Sequence, residues 1–513
     1  MTLPAGISTP LPSRVGPAAP GVVRSAVDAP GRNRWMLVAI APLAILYLLL
    51  FNPMWVPGGD SDFYLVVARN LVTGNGYTFN GEPVGMSPPG WPMVLAGLMW
   101  ISPTFGFIKL TMIGFMLTSL GLAYRVLLRF CSPRVSAMVI LLAGTLHPLY
   151  PLTFWTHSES LFCLIAWATL LLAFRINEGR SGWGAVAGVV LLSIAAVLVR
   201  WTGLIQVVLV AGILLSNGRW RDRTFVRGWV TIVLVATMSF ATFQLTQRLL
   251  EVSREQMKAI VAAGGGGERD LPGELLPEEG EDASVVEPQN AESAVLTLGA
   301  TTAPAESSKV EEYFDRFIRA AKWYAWLLWY PFRFGTSFKP IDVLAMVFGW
   351  LTIFVLTITL IVQWRRGNLL WPALAVYTGA LVMNWPNPNA RYFVPVAPLL
   401  IAGVWLGLTW LRQLEGPIFY RRDSETARIE RVSLARAWAL GTRFWLVSFI
   451  ASVAICNGTL LAVDIYVMRA RDFYGTYEAG AHKSLINACL YAMQRDPPPS
   501  DRHIGVSLRY TNL

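Results

Sequence analysis

Charge is what this chain has least of. Only 14% of its 513 residues are Asp, Glu, Lys or Arg, where a soluble domain carries about 25%, so an ordinary water-facing surface is excluded. Cysteine is as sparse: Cys131, Cys163, Cys456 and Cys489 sit in or beside different apolar segments. That excludes a disulfide-built scaffold and leaves them as packing residues. No repeat at a fixed period and no inverted halves can be found, which weighs against a transporter architecture. What fills the sequence instead is apolar. Hydrophobic residues make up 54% of it, 21 of them Trp, and they run on in long uncharged stretches that point to one polytopic membrane unit.

A hydrocarbon core of about 30 Å needs about 20 mostly apolar residues per helix. Candidate spans are residues 35–51, 106–128, 135–150, 158–174, 183–199, 202–216, 228–245, 343–364, 369–383, 392–411 and 444–467. They predict an all-α polytopic membrane protein of about 11 transmembrane helices, joined on one side by juxtamembrane helices. The first span follows Arg32 and Arg34 as a signal peptide would, but no small-residue cleavage site comes after it, so it is read as an anchor helix.

The net charge of +10 might suggest nucleic acid, but its placement does not. With the N-terminus in the cytoplasm, the inner loops collect an excess of Lys and Arg and the outer ones are net acidic, as the positive-inside rule requires. The basic balance is therefore a topology signal and nucleic acid is not expected as a partner. An inner loop holding Arg412, Arg421, Arg422, Arg428, Arg431, Arg436 and Arg443 reads as an anchor to anionic lipid. Residues 1–34 are expected to be a disordered cytoplasmic tail, and residues 468–513 a short outer segment. Residues 264–308 hold a GGGG run, several Pro and many acids with Arg269 alone as base, the composition of a disordered insert. After it, EEYFDRFIRAAKWYAWLLWYPFRF sets aromatics and Arg along an interfacial helix.

The chemistry-bearing residues fall on the outer side. In the first outer loop, Asp60 is a good N-cap, and Tyr64, Val67, Ala68 and Leu71 follow at helical spacing, predicting a short amphipathic helix along the membrane. Asp60 and Asp62 have two readings: they cap and favour the helix's positive end, or they supply a general base with a second group for substrate contact. Glu159 enters an apolar helix beside His157 and not far from His147; it either caps that helix or faces a wet cavity in the bundle. The His spacing matches no metal motif, so no metal ligand is assigned and no cofactor is expected, with a divalent metal left open. Arg200 in VLVRWTG and Arg391 in NWPNPNARYFVPVAP lie between apolar spans. Either they snorkel to the interface, or their guanidinium forks hold the phosphate of a lipid-anchored substrate. Lys339 is a further phosphate candidate, with Lys322 and Arg333 behind it, and Tyr64 and Tyr392 join His157 and Glu159 as candidate substrate contacts.

These residues also carry a likeness. DSDFYLVVARNLVTGNG at 60–76, followed by SPPGWPMVLAGL at 87–98, resembles the first outer loop of GT-C glycosyltransferases, in the branch related to protein O-mannosyltransferases and lipid A aminoarabinose transferases. SES at 158–160, VRWTG at 199–203 and ARYFVPVAP at 390–398 look like later landmarks of that family in the same order. The resemblance implies a GT-C-like domain over 35–467 in the inner (plasma) membrane, with its catalytic face periplasmic or extracellular. It implies a polyprenyl-phosphate-linked sugar donor and a lipid, protein or glycan acceptor with a hydroxyl or amine. Asp60 would be the general base, and outer-face cations, Arg391 first, would hold the donor phosphate. The branch often sets Glu directly after the first Asp; here Ser61 intervenes before Asp62. A transporter or flippase of lipid-linked sugars is the alternative, but it would need charges near the bilayer midplane, where the chain has almost none. A structural subunit would leave Asp60 and Arg391 dispensable.

Overall fold

A computed structural model describes residues 32–54, 60–79, 82–85, 87–146, 149–216, 223–264, 339–384 and 390–413, with 461, 462 and 465. The expected acidic insert but for its first residue, the aromatic stretch after it, most of the N-terminal tail, nearly all of the arginine-rich loop and of the last apolar span, and the C-terminal segment lie outside the described residues.

The helices follow the apolar stretches closely. They are α1 (Arg32–Leu49), α2 (Ser61–Val72), α3 (Gly90–Ile101), α4 (Phe105–Leu127), α5 (Pro133–Thr145), α6 (Glu159–Asn177), α7 (Trp183–Val199), α8 (Gln206–Leu215), α9 (Arg223–Gly264), α10 (Lys339–Arg365), α11 (Leu370–Asn384) and α12 (Ala397–Gln413). Among the described residues, four stretches, Phe105–Leu127, Glu159–Asn177, Phe225–Ser253 and Arg391–Leu411, are long and apolar enough to cross a membrane by length and composition. Shorter apolar stretches include Asn33–Leu49, Pro133–Thr145, Trp183–Val199 and Gly349–Arg365.

Three departures from the predicted pattern have local causes. The stretch 202–216 divides into a 3-10 turn, Trp201–Leu204, and α8. A Cβ on Gly203 would stand 2.4 Å from the Ala196 carbonyl, so the turn lies directly on the end of α7. The stretch 392–411 opens as the 3-10 segment Ala390–Val396 with Pro395 inside it, and the α-helix starts only at Ala397. Proline lacks an amide donor and suits the first turn of a helix, where Pro398 then falls. Finally, α9 runs 42 residues, roughly 63 Å and about twice the thickness of the hydrocarbon core. Its last turns extend into what reads in the sequence as an outer loop and stop at Gly264, where the glycine run begins.

Helix α6 is the central one. It packs against α4, α7, α8 and the 390–396 segment, and two-thirds of its apolar window is enclosed, against 22% for Phe225–Ser253 at the periphery. A large core joins α1, α4 to α8, α11 and α12. A second, smaller core sits beneath α2 and α3, built from Tyr64, Ala68, Trp91, Leu95, Ile108, Met112, Phe162, Ile165, Ala196 and Val199. A two-stranded hairpin, β1 (Thr78–Phe79) and β2 (Glu82–Pro83), follows α2 and pairs Thr78 with Pro83 and Phe79 with Glu82. Asn70 ties it down by donating to the Thr78 carbonyl at 2.9 Å.

The two ends of the bundle differ in kind. One gathers Arg125 on Asn33, Arg129 on Glu178 at 2.7 Å, and Arg134 over the Trp35 ring. At the other end, α3 is pressed against the end of α7 at Gly90, whose Cβ position lies 2.6 Å from the Leu198 carbonyl oxygen. Trp91, fully buried, donates from Nε1 to the Thr156 carbonyl at 3.0 Å. A Cβ at Gly90 meets backbone rather than a movable side chain, so Gly90→Ala must push the two helices apart, at a cost of about 1–3 kcal/mol. Gly97, on the exposed side of the same helix, has no atom within 4 Å of its Cβ position. Thermal unfolding in detergent micelles should show a lowered midpoint for Gly90→Ala and an unchanged or raised one for Gly97→Ala; equal midpoints would contradict the contact.

Candidate functional site

The segment between the 3-10 turn Tyr150–Thr153 and α6 carries the site. Its backbone is held from several directions: Thr156 accepts from Trp91 and donates from Oγ1 to the Ser61 carbonyl at 3.5 Å, while Ser160 Oγ donates to the Leu152 carbonyl at 2.8 Å. Glu159 is the first residue of α6, where the helix dipole favours negative charge. Its side chain is almost wholly buried, with a relative exposure of 2%.

Two arginines meet that carboxylate. Arg200, at the junction of α7 and the Trp201–Leu204 turn, places Nη1 2.6 Å from Glu159 Oε1 and donates from the same nitrogen to Ser158 Oγ at 2.9 Å. Arg391, in the 3-10 lead into α12, sets Nε 3.6 Å from the same Glu159 oxygen. Its Nη2 reaches the other way, to Asp60 Oδ2 at 2.8 Å. The four groups form a chain, Arg200–Glu159–Arg391–Asp60, of zero net formal charge and graded exposure: 11%, 2%, 18% and 46%.

The geometry shows what each charged side chain meets. Asp60 occupies the N-cap position of α2, but its side chain makes no capping hydrogen bond; its carboxylate is turned to Arg391 instead. Arg200 and Arg391 face inward to carboxylates rather than snorkelling. Tyr392 lies between them, its ring 5.4 Å from the Arg200 guanidinium carbon and 5.6 Å from that of Arg391, within cation–π reach of both. Tyr64 lies on the buried face of α2. Burial above all pushes its phenol pKa up, with the Asp60 and Glu159 charges acting the same way against Arg200, so it serves the site as a neutral hydrogen-bonding group. His157 is buried, its ring tilted against Trp155 at 5.5 Å.

Other expected residues stand apart from the chain of charges. Asp62 accepts from Ser61 Oγ at 3.1 Å, one turn-step beyond Asp60. Lys339 opens α10, with its side chain outside the described residues; His147, Lys322 and Arg333 also lie outside them. Among the described residues no group of three or more His, Cys, Asp or Glu comes together. The sequence reading named Ser158, Gly90 and Trp91 only within the SES and SPPGWPMVLAGL stretches and Thr156 not at all. Their individual signal is faint, because each acts through a contact with a segment distant in sequence.

No family model matches the chain, and no curated protein matches it. Among solved structures it is similar to ArnT from Cupriavidus metallidurans in the apo state, at 12% identity and a TM-score of 0.45, over 85% of this chain and 76% of that one. It is similar also to ArnT bound to undecaprenyl phosphate, at 12% identity and a TM-score of 0.43, over 86% and 77% of the two chains. A third is the archaeal oligosaccharyltransferase AglB from Archaeoglobus fulgidus, in complex with an inhibitory peptide and a dolichol-phosphate. It matches at 12% identity and a TM-score of 0.42, over 88% of this chain and 60% of AglB.

Breaking a buried ion pair from one side strands a charge and costs about 3–5 kcal/mol, whereas removing both partners costs less. Glu159→Gln and Arg200→Met should each lower the thermal midpoint in detergent sharply, and the double variant should recover part of the loss. Simple addition of the two shifts would show that the pair is not coupled.

Proposed function

We propose that this chain is a membrane-embedded glycosyltransferase that moves a sugar from a polyprenyl-phosphate donor to a hydroxyl or amine acceptor at the outer face of the cytoplasmic membrane. The observation that carries the reading is the half-exposed carboxylate of Asp60 held 2.8 Å from Arg391, at the end of the bundle away from the Arg125, Arg129 and Arg134 cluster. A general base and a phosphate-binding cation thus stand side by side where lipid and water both have access. That sugar is the group transferred rests on the resemblance of the first outer loop to GT-C glycosyltransferases.

The chemistry asked of the residues is limited. A lipid phosphate is a good leaving group once its charge is met, so the work is to align two substrates and move one proton. Asp60 takes the proton from the acceptor O–H or N–H. The acceptor atom forms its bond to the anomeric carbon as the carbon–oxygen bond to the phosphate breaks, its electron pair leaving on the phosphate oxygen, so the configuration inverts. Arg391 and Arg200 receive that developing charge, with Lys339 a third candidate. Glu159 backs both arginines. Asp62, Tyr64, His157 and Tyr392 surround the reacting centre as substrate contacts.

Asp60→Asn should abolish transfer while leaving insertion and folding intact, since the pair it breaks is half exposed and of small energetic worth. The assay reconstitutes the protein with a radiolabelled polyprenyl-phosphate sugar and asks whether label is transferred, flipped or left alone. Full turnover in the Asn variant removes Asp60 from the mechanism, and label that is flipped without transfer replaces the enzyme with a flippase. Arg391→Ala should raise the donor KM well above its effect on the acceptor KM; an unchanged donor KM would sink the phosphate assignment.

A further inference from the structure

We infer that the donor phosphate binds by taking the place of Asp60 on Arg391, so that the base is released toward the acceptor only once the donor is seated. The inference rests on the function proposed above and adds an order of events to it.

Arg391 is held from two sides by carboxylates of very different standing. On the inner side Glu159 is 2% exposed and already committed to Arg200 at 2.6 Å. Withdrawing it would leave a buried charge without water to receive it, which makes that contact costly to break. On the outer side Asp60 is 46% exposed and meets Arg391 at Nη2. A carboxylate already half in water loses little on leaving, because water takes it over, whereas Arg391, 18% exposed, needs another anion in its place. Of the two carboxylates on Arg391, an incoming anion therefore displaces Asp60.

Two further features fit the exchange. A sugar phosphodiester carries one negative charge, the same as the carboxylate it replaces, so the buried part of the chain stays balanced. A phosphate can meet the guanidinium fork with two oxygens, as a carboxylate does. Asp60, for its part, gives up no helix-capping bond on leaving, since its side chain makes none at the start of α2. It sits at the start of α2, where a side-chain rotation carries the carboxylate from the cation toward water and toward an acceptor. Before the donor arrives, Asp60 is held on a cation rather than offered to an acceptor. After transfer, the half-exposed Asp60 gives the acceptor's proton up to water, and its return to Arg391 as a carboxylate helps to expel the lipid phosphate product.

The test is binding rather than turnover. The full chain in nanodiscs would be titrated with a polyprenyl phosphate, and in a separate arm with inorganic phosphate, following intrinsic Trp fluorescence. Removing the competitor in Asp60→Asn should tighten polyprenyl phosphate binding about tenfold. Arg391→Ala should weaken binding, and in the Asp60→Asn/Arg391→Ala double variant the gain should vanish. Unchanged or weaker binding in Asp60→Asn, beside a wild type that binds, overturns the exchange and leaves the base assignment to the transfer assay. Absence of lipid phosphate binding to the wild type and to Asp60→Asn overturns the phosphate site itself. A gain confined to inorganic phosphate would overturn the lipid headgroup as the displacing ligand.

Discussion

A carboxylate taken out of water inside a helical bundle has to be met by positive charge, and Glu159 is met twice. Arg200 comes to it from the end of α7 and Arg391 from the lead into α12, so one buried oxygen fixes the relative position of three segments. The surrounding backbone follows suit. Ser158, Thr156 and Ser160 take up hydrogen bonds that tie the approach to α6 to α2, α3 and the preceding turn. Apolar packing in lipid cannot specify such an arrangement by itself, because the lipid tails are as apolar as the side chains. The buried charge supplies the missing specificity.

From that fixed point the site grades outward. Exposure rises along the series from Glu159 to Arg391 to Asp60, and each step makes the group easier to displace and more open to substrate. Tyr392 fills the gap between the guanidinium groups, meeting both with its π face where two like charges would otherwise repel across an empty space. The inner part is thus buried and already neutralised, and the outer part is open to solvent.

Much of the fold was legible because a membrane helix announces itself by composition. Ten of the expected spans coincide with described helices, several to within a few residues, as at 183–199. The short helix beginning after Asp60 was equally readable from the spacing of Tyr64, Val67, Ala68 and Leu71. What escaped was short. Helix α3 has 12 residues, below the length of any spanning window, and its uniformly apolar sequence gives no amphipathic period to detect. The hairpin had a signal in Asn80-Gly81, a dipeptide favoured in tight hairpin loops, but strands of two residues offer no alternation. For the site, residue type and side of the membrane brought Asp60, Glu159, Arg200 and Arg391 onto the same short roster. Their pairing was not legible. Whether Asp60 caps its helix or meets a cation depends on where a residue more than three hundred positions away is delivered, and local sequence holds no record of that.

That separation along the chain has a consequence for biogenesis. A polytopic protein enters the membrane segment by segment from its N-terminus, so Asp60 is in place long before Arg391 has been synthesised. Glu159 and Arg200 pair next, across the single hairpin of α6 and α7, giving the half-built bundle a stable counter-ion. Only when the segment leading into α12 arrives is the chain of charges closed. A nascent or truncated protein therefore holds the Asp60 carboxylate without the cation beside it, and the four-membered chain of charges exists only in the assembled bundle.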